Sequence, residues 1–189
     1  ALDTGMRRIG LEADESGADL AAAIGALPGI EVEGLFTHFS RADEMEKTSA
    51  MTQLGRYLHF TELLKARGLE IPIKHCSNSA GIIDLPQANL NCVRAGITMH
   101  GMYPSEEVQK DKVPLKPALG LKSFVTYVKE LGPGEEISYG GTYVTERTMR
   151  IATVAVGYGD GYPRSLSNCG YVLICGKRAR ILGRVCMDQ

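Results

Sequence analysis

Up to about residue 112 the chain alternates β-prone and helix-prone segments, and beyond it the β-prone segments follow one another directly. That change of regime constrains the fold more than any single motif. Alternation builds right-handed parallel βαβ units, whereas successive short strands parted by turns build antiparallel sheet. In the first regime the sequence predicts a helix over Ser16–Leu27 with Ser16 at its N-cap, ended by Pro28-Gly29. It predicts strands over Glu31–Phe39, Ile71–His75 and Leu90–Val93. Asp43–Leu69 reads as one long amphipathic helix, with Met51, Leu54, Leu58, Leu63 and Leu64 near helical spacing. After a charged, proline-containing linker, Leu119–Glu130, Thr148–Gly157, Gly170–Cys175 and Arg178–Cys186 read as strands, with turns at Gly132-Pro133-Gly134 and Gly176-Lys177. The first regime supplies about four βα strands where a barrel needs eight, so the sequence reads as part of a longer protein.

Composition narrows the function classes. The 189 residues are 44% hydrophobic and 23% charged, a globular mixture. Twenty-one basic against 22 acidic side chains leave a net charge of −1, which argues against a nucleic-acid platform or a polybasic membrane patch. No apolar run approaches the roughly 20 residues that span a bilayer. The five cysteines are irregularly spaced and form no C-x-x-C pair, so neither a disulfide framework nor a metal site is expected. Free thiols fit a reducing, cytoplasmic setting.

Polar residues gather where strands end: Thr37-His38-Phe39-Ser40, then His75, Asn78 and Ser79, then Arg94-Ala95-Gly96-Ile97. Ligands of parallel α/β folds sit at those ends. The Gly96 and Ile97 amides and the Ser79 hydroxyl together could form a phosphate cup. Singly, each has an ordinary reading: Ser79 as an N-cap, Gly96 as a turn, His38 as a satisfied histidine. In the β-rich part, Gly157-Tyr158-Gly159-Asp160-Gly161-Tyr162 reads either as a loop presenting Tyr158 or as a hairpin turn with a packing tyrosine.

Taken together the motifs resemble the alanine racemases. The resemblance is carried by Asp3 to Gly10, Thr37 to Asp43, His75-Cys76-Ser77-Asn78-Ser79-Ala80, Arg94-Ala95-Gly96-Ile97, Ser138-Tyr139-Gly140, Gly157 to Gly161 and Gly183 to Gln189. It implies the second half of a (β/α)8 barrel over 1–113 and part of a mainly antiparallel β domain over 114–189. It also implies the cofactor pyridoxal 5'-phosphate and interconversion of L- and D-alanine, supplying D-alanine for peptidoglycan. The Schiff-base lysine of such enzymes lies on a first barrel strand outside these residues, so the isolated chain is expected to be inactive.

By the same resemblance, Tyr158 is the base on the second face of the cofactor, linked to His38 and through it to Arg94. Free tyrosine ionises near 10, so such a base needs its phenolate stabilised. Arg94 faces the pyridine nitrogen and, being always protonated, leaves that nitrogen without a proton. Ser79, Gly96 and Ile97 match phosphate-binding positions, Arg8 and Met187 contact the substrate carboxylate, and Asp43 and Arg184 line the corridor leading in. The partners implied are alanine and a second copy of the chain, with Tyr158 and Met187 serving the partner's site. Ala1 stands where many members carry a modified lysine, so Arg8 needs another group to orient it, such as a small anion. Alternatives are a serine or broad-specificity racemase and a pyridoxal-phosphate-binding protein without catalysis. A decarboxylase of the same fold type would place a carboxylate where Arg94 stands.

Overall fold

A computed structural model describes all 189 residues as two compact units, Ala1–Gly120 and Leu121–Gln189. In the first unit, β1 (Leu2–Asp3) pairs in parallel with β2 (Leu11–Glu12), and β3 (Gly34–Phe36) pairs in parallel with β4 (Ile73–His75). Between them run α1 (Glu15–Gly25) and α2 (Thr48–Ala66), and α3 (Ser79–Asp84) follows β4. Helix α2 buries Ala50, Leu54, Tyr57, Phe60 and Leu64 along one stripe, the spacing that a 3.6-residue period requires. Its Tyr57 hydroxyl donates to the Leu35 carbonyl at 2.8 Å, which ties the helix to β3.

Several boundaries differ from expectation, each for a local reason. Asp14, not Ser16, caps α1: its carboxylate accepts the Gly17 amide at 2.9 Å and the Ser16 hydroxyl at 2.8 Å. Helix α2 starts at Thr48, because residues 42–47 instead wrap around the Lys47 ammonium, which donates to the Ala42 and Glu44 carbonyls. Strand β3 is confined to Gly34–Phe36.

Leu90–Val93 forms no strand. Leu90 has φ +50°, outside the β region, and the Asn91 side chain takes the place of a backbone ladder beside β4. Asn91 Oδ1 accepts the Lys74 amide at 2.8 Å, and Nδ2 donates to the Pro72 carbonyl at 2.6 Å. Residues 114–120 belong by contact to the first unit: the Tyr103 hydroxyl accepts the Leu115 amide, and the Ala118 amide donates to the His100 carbonyl.

The second unit is antiparallel. β5 (Val125–Leu131) pairs with β8 (Met149–Val154), β6 (Glu136–Ile137) with β7 (Tyr143–Val144), and β9 (Tyr171–Ile174) with β10 (Lys177–Arg180). The β9–β10 turn is Cys175-Gly176, one residue earlier than expected. Both residues have positive φ, the conformation that a two-residue hairpin needs. Strand β10 stops at Arg180, well short of Cys186. Beyond it the chain makes a left-handed turn at Gly183, where a Cβ would lie 2.6 Å from the Ile137 carbonyl.

Candidate functional site

Because Phe36 pairs directly with His75, β3 and β4 end level, and the carbonyls of Thr37, His75 and Cys76 around their ends leave an opening towards Arg94. The Arg94 guanidinium fills that opening. Nη2 donates to the Thr37 carbonyl at 2.7 Å and the Cys76 carbonyl at 3.1 Å, and Nη1 to the His75 carbonyl at 3.2 Å. Two imidazoles complete the shell, His75 Nδ1 at 2.5 Å and His38 Nδ1 at 3.4 Å. Phe36 supports it from below, stacked on His75 at 5.3 Å and lying 5.3 Å from the guanidinium carbon. His75 was assigned no role from sequence, although it stands in a motif. Its partner Arg94 lies 19 residues away, and only the fold brings them together.

A guanidinium only donates, so His75 Nδ1, at 2.5 Å from Nη1, accepts and its proton sits on Nε2. His38 Nδ1 is a third and longer contact of Nη2, whose two hydrogens already serve the Thr37 and Cys76 carbonyls. Burial lowers the His38 pKa, aided by the charges of Arg94 and Arg8, and burial followed by Arg94 lowers that of His75. Burial also pushes the neighbouring Cys76 thiol up to about 12, which leaves it un-ionised and unreactive. The depressed histidines make stability pH-dependent. Their contribution is complete above the unfolded value of about 6.5 and is lost as pH falls below it, because the unfolded chain then binds protons that the folded chain refuses. The urea midpoint should therefore hold above about pH 7 and decline towards pH 5. A level midpoint across that range would contradict two neutral imidazoles beside Arg94.

Ser79 opens α3, yet the helix is capped by Asn78, whose Oδ1 accepts the Gly81 amide at 3.1 Å. The Ser79 hydroxyl is thus free for other work. It accepts the Gly96 amide at 3.0 Å and the Thr98 amide at 3.4 Å, and shares a bond with the Thr98 hydroxyl at 3.1 Å. The Ile97 amide heads the short 3-10 turn Ile97–His100, so it has no acceptor within that turn. A Cβ on Gly96 would meet nothing nearer than Ser79 Oγ at 3.8 Å, so the backbone there is uncrowded on that side. Neutral N–H and O–H groups gathered in one place are the donor set that a phosphate dianion needs.

The remaining predicted residues of this unit lie on loops. Arg8 is exposed and follows the turn built on Asp3, whose carboxylate accepts the Gly5 and Arg7 amides at 2.9 and 3.0 Å. Its neighbour Arg7 is taken by Glu12 at 3.0 Å, which leaves Arg8 as the guanidinium available to a ligand. Asp43 is half-buried. Its carbonyl accepts the Ser105 hydroxyl at 2.5 Å, and its loop is fixed by Lys47, which forms an ion pair with the buried Asp84 at 2.8 Å.

In the second unit the structure brings Tyr158 and Met187 together. The Tyr158 amide donates to the Cys186 carbonyl at 2.9 Å and the Gly159 amide to the Met187 carbonyl at 2.8 Å. Gly157 permits this contact, since a Cβ there would lie 2.3 Å from both carbonyls. Residues Tyr158–Asp160 form a 3-10 turn, not a hairpin, stabilised by the Asp160 carboxylate accepting the Gly157 amide at 3.0 Å. Tyr158 is 48% exposed and Met187 57% exposed, so both present side chains outward.

Arg184 belongs to a second cluster, around a residue the sequence reading left without a role. The Ser138 hydroxyl donates to the Arg184 carbonyl at 2.7 Å, and a Cβ on Gly140 would lie 3.7 Å from the Arg184 guanidinium carbon. Ser138 has φ +65° and ψ −177°, a region essentially reserved for glycine. The next residue, Tyr139, is 72% exposed. Backbone strain of about 1–3 kcal/mol thus presents a tyrosine that contributes little to packing. Such strain has no signature in the sequence. The only signal there was the Ser138-Tyr139-Gly140 motif.

Two family models match the chain: "Alanine racemase, N-terminal domain" over residues 1–104 and "Alanine racemase, C-terminal domain" over 118–189. The chain belongs to the alanine racemase family. Among curated relatives, the alanine racemase of Clostridium perfringens (strain SM101 / Type A) is 51% identical over 189 residues, all of this chain and 49% of the relative. That of Desulforamulus reducens is 48% identical over 188 residues, all of this chain and 51% of the relative. A solved alanine racemase from Clostridium difficile 630 superposes with a TM-score of 0.91 at 43% identity, over 99% of this chain and 49% of that one. The Bacillus anthracis alanine racemase with bound L-Ala-P gives 0.84 at 37% identity, over 98% and 48%. The chain thus spans about half the length of the alanine racemases it matches. The match agrees with the expected fold class, α/β barrel segments followed by β domain, and runs through both units.

Proposed function

We propose that this chain carries the phosphate cradle, the pyridine-facing arginine and the proton-transferring tyrosine of a pyridoxal-phosphate-dependent alanine racemase. The observation that carries this reading is Arg94, a guanidinium held by three carbonyls and two neutral imidazoles at the level ends of two parallel strands. When bound, pyridoxal phosphate supplies a ring into which charge from the substrate α-carbon can spread. Ser79, with the Gly96 and Ile97 amides, would hold its phosphate. Arg94 would face its ring nitrogen as a permanently charged donor that gives up no proton, which restrains side reactions requiring a fully protonated ring. Arg8 would bind the substrate carboxylate by charge-assisted hydrogen bonds. The Met187 amide would add a further donor, held in place by the bond from the Gly159 amide to the Met187 carbonyl.

A racemase needs a proton-transferring group on each face of the substrate carbon. The sequence reading gives one of these roles to Tyr158. The strained Ser138 favours Tyr139, because a tyrosine exposed at a cost in backbone energy calls for a reason beyond packing. We assign the proton transfer to Tyr139 and place Tyr158 with Met187, Asp43 and Arg184 among the groups that admit and surround the substrate. The second unit of one copy would serve the site of its partner in a homodimer, each site drawing on both chains. The unpaired cysteines fit a cytoplasmic enzyme.

The test is to incubate the full-length protein with pyridoxal phosphate and either L-alanine or L-serine, and to measure the D-enantiomer formed. The expected result is D-alanine, with a higher kcat/KM than for serine. Equal turnover of serine would mark a broad-specificity racemase, and no turnover of either would leave a cofactor-binding protein without catalysis.

A further inference from the structure

Gln53 lies in the first two turns of α2 and is 3% exposed. A buried amide is costly unless its hydrogen bonds are met, so an apolar side chain of the same length would be the ordinary occupant of such a position. Here all four hydrogen-bonding positions of the carboxamide are used. Oε1 accepts the Ser40 amide at 2.9 Å and the Ser40 hydroxyl at 3.0 Å. Nε2 donates to the His38 carbonyl at 3.1 Å and the Thr4 hydroxyl at 3.2 Å. An amide donor on one side and a carbonyl acceptor on the other fix which way the group points.

These partners are the loops that leave two strand ends. Thr4 follows β1 and begins the turn to Arg8, and His38 to Ser40 follow β3. The loops touch each other through the Thr4 and Thr37 hydroxyls at 2.6 Å. Gly5 lies against Gln53 so closely that a Cβ would be 3.3 Å from Gln53 Cγ. Three residues further along the same face of α2, Arg56 donates to the Thr4 carbonyl at 2.8 Å. Helix α2 thus reaches the Arg8 turn twice and the His38 loop once, and Gln53 is the α2 side chain that bonds to both loops, beside their direct Thr4–Thr37 contact.

We propose that Gln53 is a positioning residue for the reaction assigned above, registering the substrate-binding Arg8 turn against the His38 loop. The inference rests on that assignment for its functional side and on hydrogen bonding alone for its structural side. Gln53 contacts neither substrate nor cofactor; it acts through Thr4 and His38.

The decisive variant is Gln53→Met, which keeps length and volume and removes every hydrogen bond. In the full-length protein with pyridoxal phosphate, KM for L-alanine should rise about tenfold and kcat fall by a similar factor, as expected when a reacting group is displaced by a fraction of an ångström. Partial unfolding would lower apparent kcat and leave KM alone, so an unchanged KM overturns the proposal. A second readout needs no activity. Amide hydrogen exchange at Ser40 should accelerate in the cofactor-free variant, and unchanged protection there also overturns the proposal. If the parent protein fails to racemise alanine while Ser40 loses protection in Gln53→Met, the assigned reaction falls and the clamp stands. Should Gln53→Met not fold, Gln53→Glu decides. It retains the acceptor for Ser40 but sets an oxygen against the His38 carbonyl. The clamp then predicts a raised KM with Ser40 still protected, and a wild-type KM overturns it.

Discussion

Tyr139→Phe in the full-length protein is expected to lower kcat for alanine racemisation about a thousandfold, whereas Tyr158→Phe should cost no more than about tenfold. The first figure is that of removing a positioned proton-transfer group, which typically contributes 10²–10⁴ in rate. The second is that of trimming one hydroxyl from a surface that admits and surrounds substrate. Phenylalanine keeps the ring in both variants, so backbone geometry at Ser138 and at Gly157 is preserved and the comparison isolates the hydroxyls. Isotope exchange sharpens the test. Loss of one base removes α-proton exchange from one enantiomer and spares part of the exchange from the other. If Tyr158→Phe shows the thousandfold loss and Tyr139→Phe is nearly silent, the roles are reversed, and the strain at Ser138 serves only the contact with Arg184.

Arg94→Leu should have the largest effect on folding and function together. The substitution leaves the Thr37 and Cys76 carbonyls without the guanidinium donor, leaves the His75 carbonyl only the Thr37 amide at 3.3 Å, and strips two imidazoles of their partner. Unsatisfied buried polar groups cost about 1–3 kcal/mol each. Part of this is recoverable by water, so a loss of about 2–4 kcal/mol in urea unfolding is expected, with activity below a hundredth of the parent. Arg94→Lys separates charge from geometry. An ammonium keeps the charge but is a compact point donor, and it cannot span three carbonyls and two imidazoles as the planar fork does. It should recover less than half of the lost stability and little of the activity. Full recovery by lysine would mean that charge alone is required and that the fork geometry is incidental.

The two-part architecture was legible because apolar periodicity changes character near residue 112, and periodicity follows directly from which faces are buried. The meeting of Ser79 with Gly96 was legible for a different reason: both stand in short motifs at successive predicted strand ends. Boundaries were less legible. Ser16 and Asp14 are both good caps, and only the direction of the Asp14 carboxylate decides between them. Leu90–Val93 has the apolar character of a strand, but a left-handed Leu90 and the Asn91 side chain override it. Gln53 was invisible for a physical reason. A lone glutamine in a helix carries no pattern, and its three partners come from segments 13 to 49 residues away. The strain at Ser138 was equally hidden, because a serine is written the same way whatever its φ.

Asn91 and Arg94 together carry a lesson for length variation. One end of this short span is moored by a carboxamide to Pro72 and Lys74, the other by the Arg94 amide to the Ser77 carbonyl at 3.0 Å. A single residue added between the two moorings would swing the guanidinium away from its carbonyls, so this is where the chain has no slack for insertions or deletions.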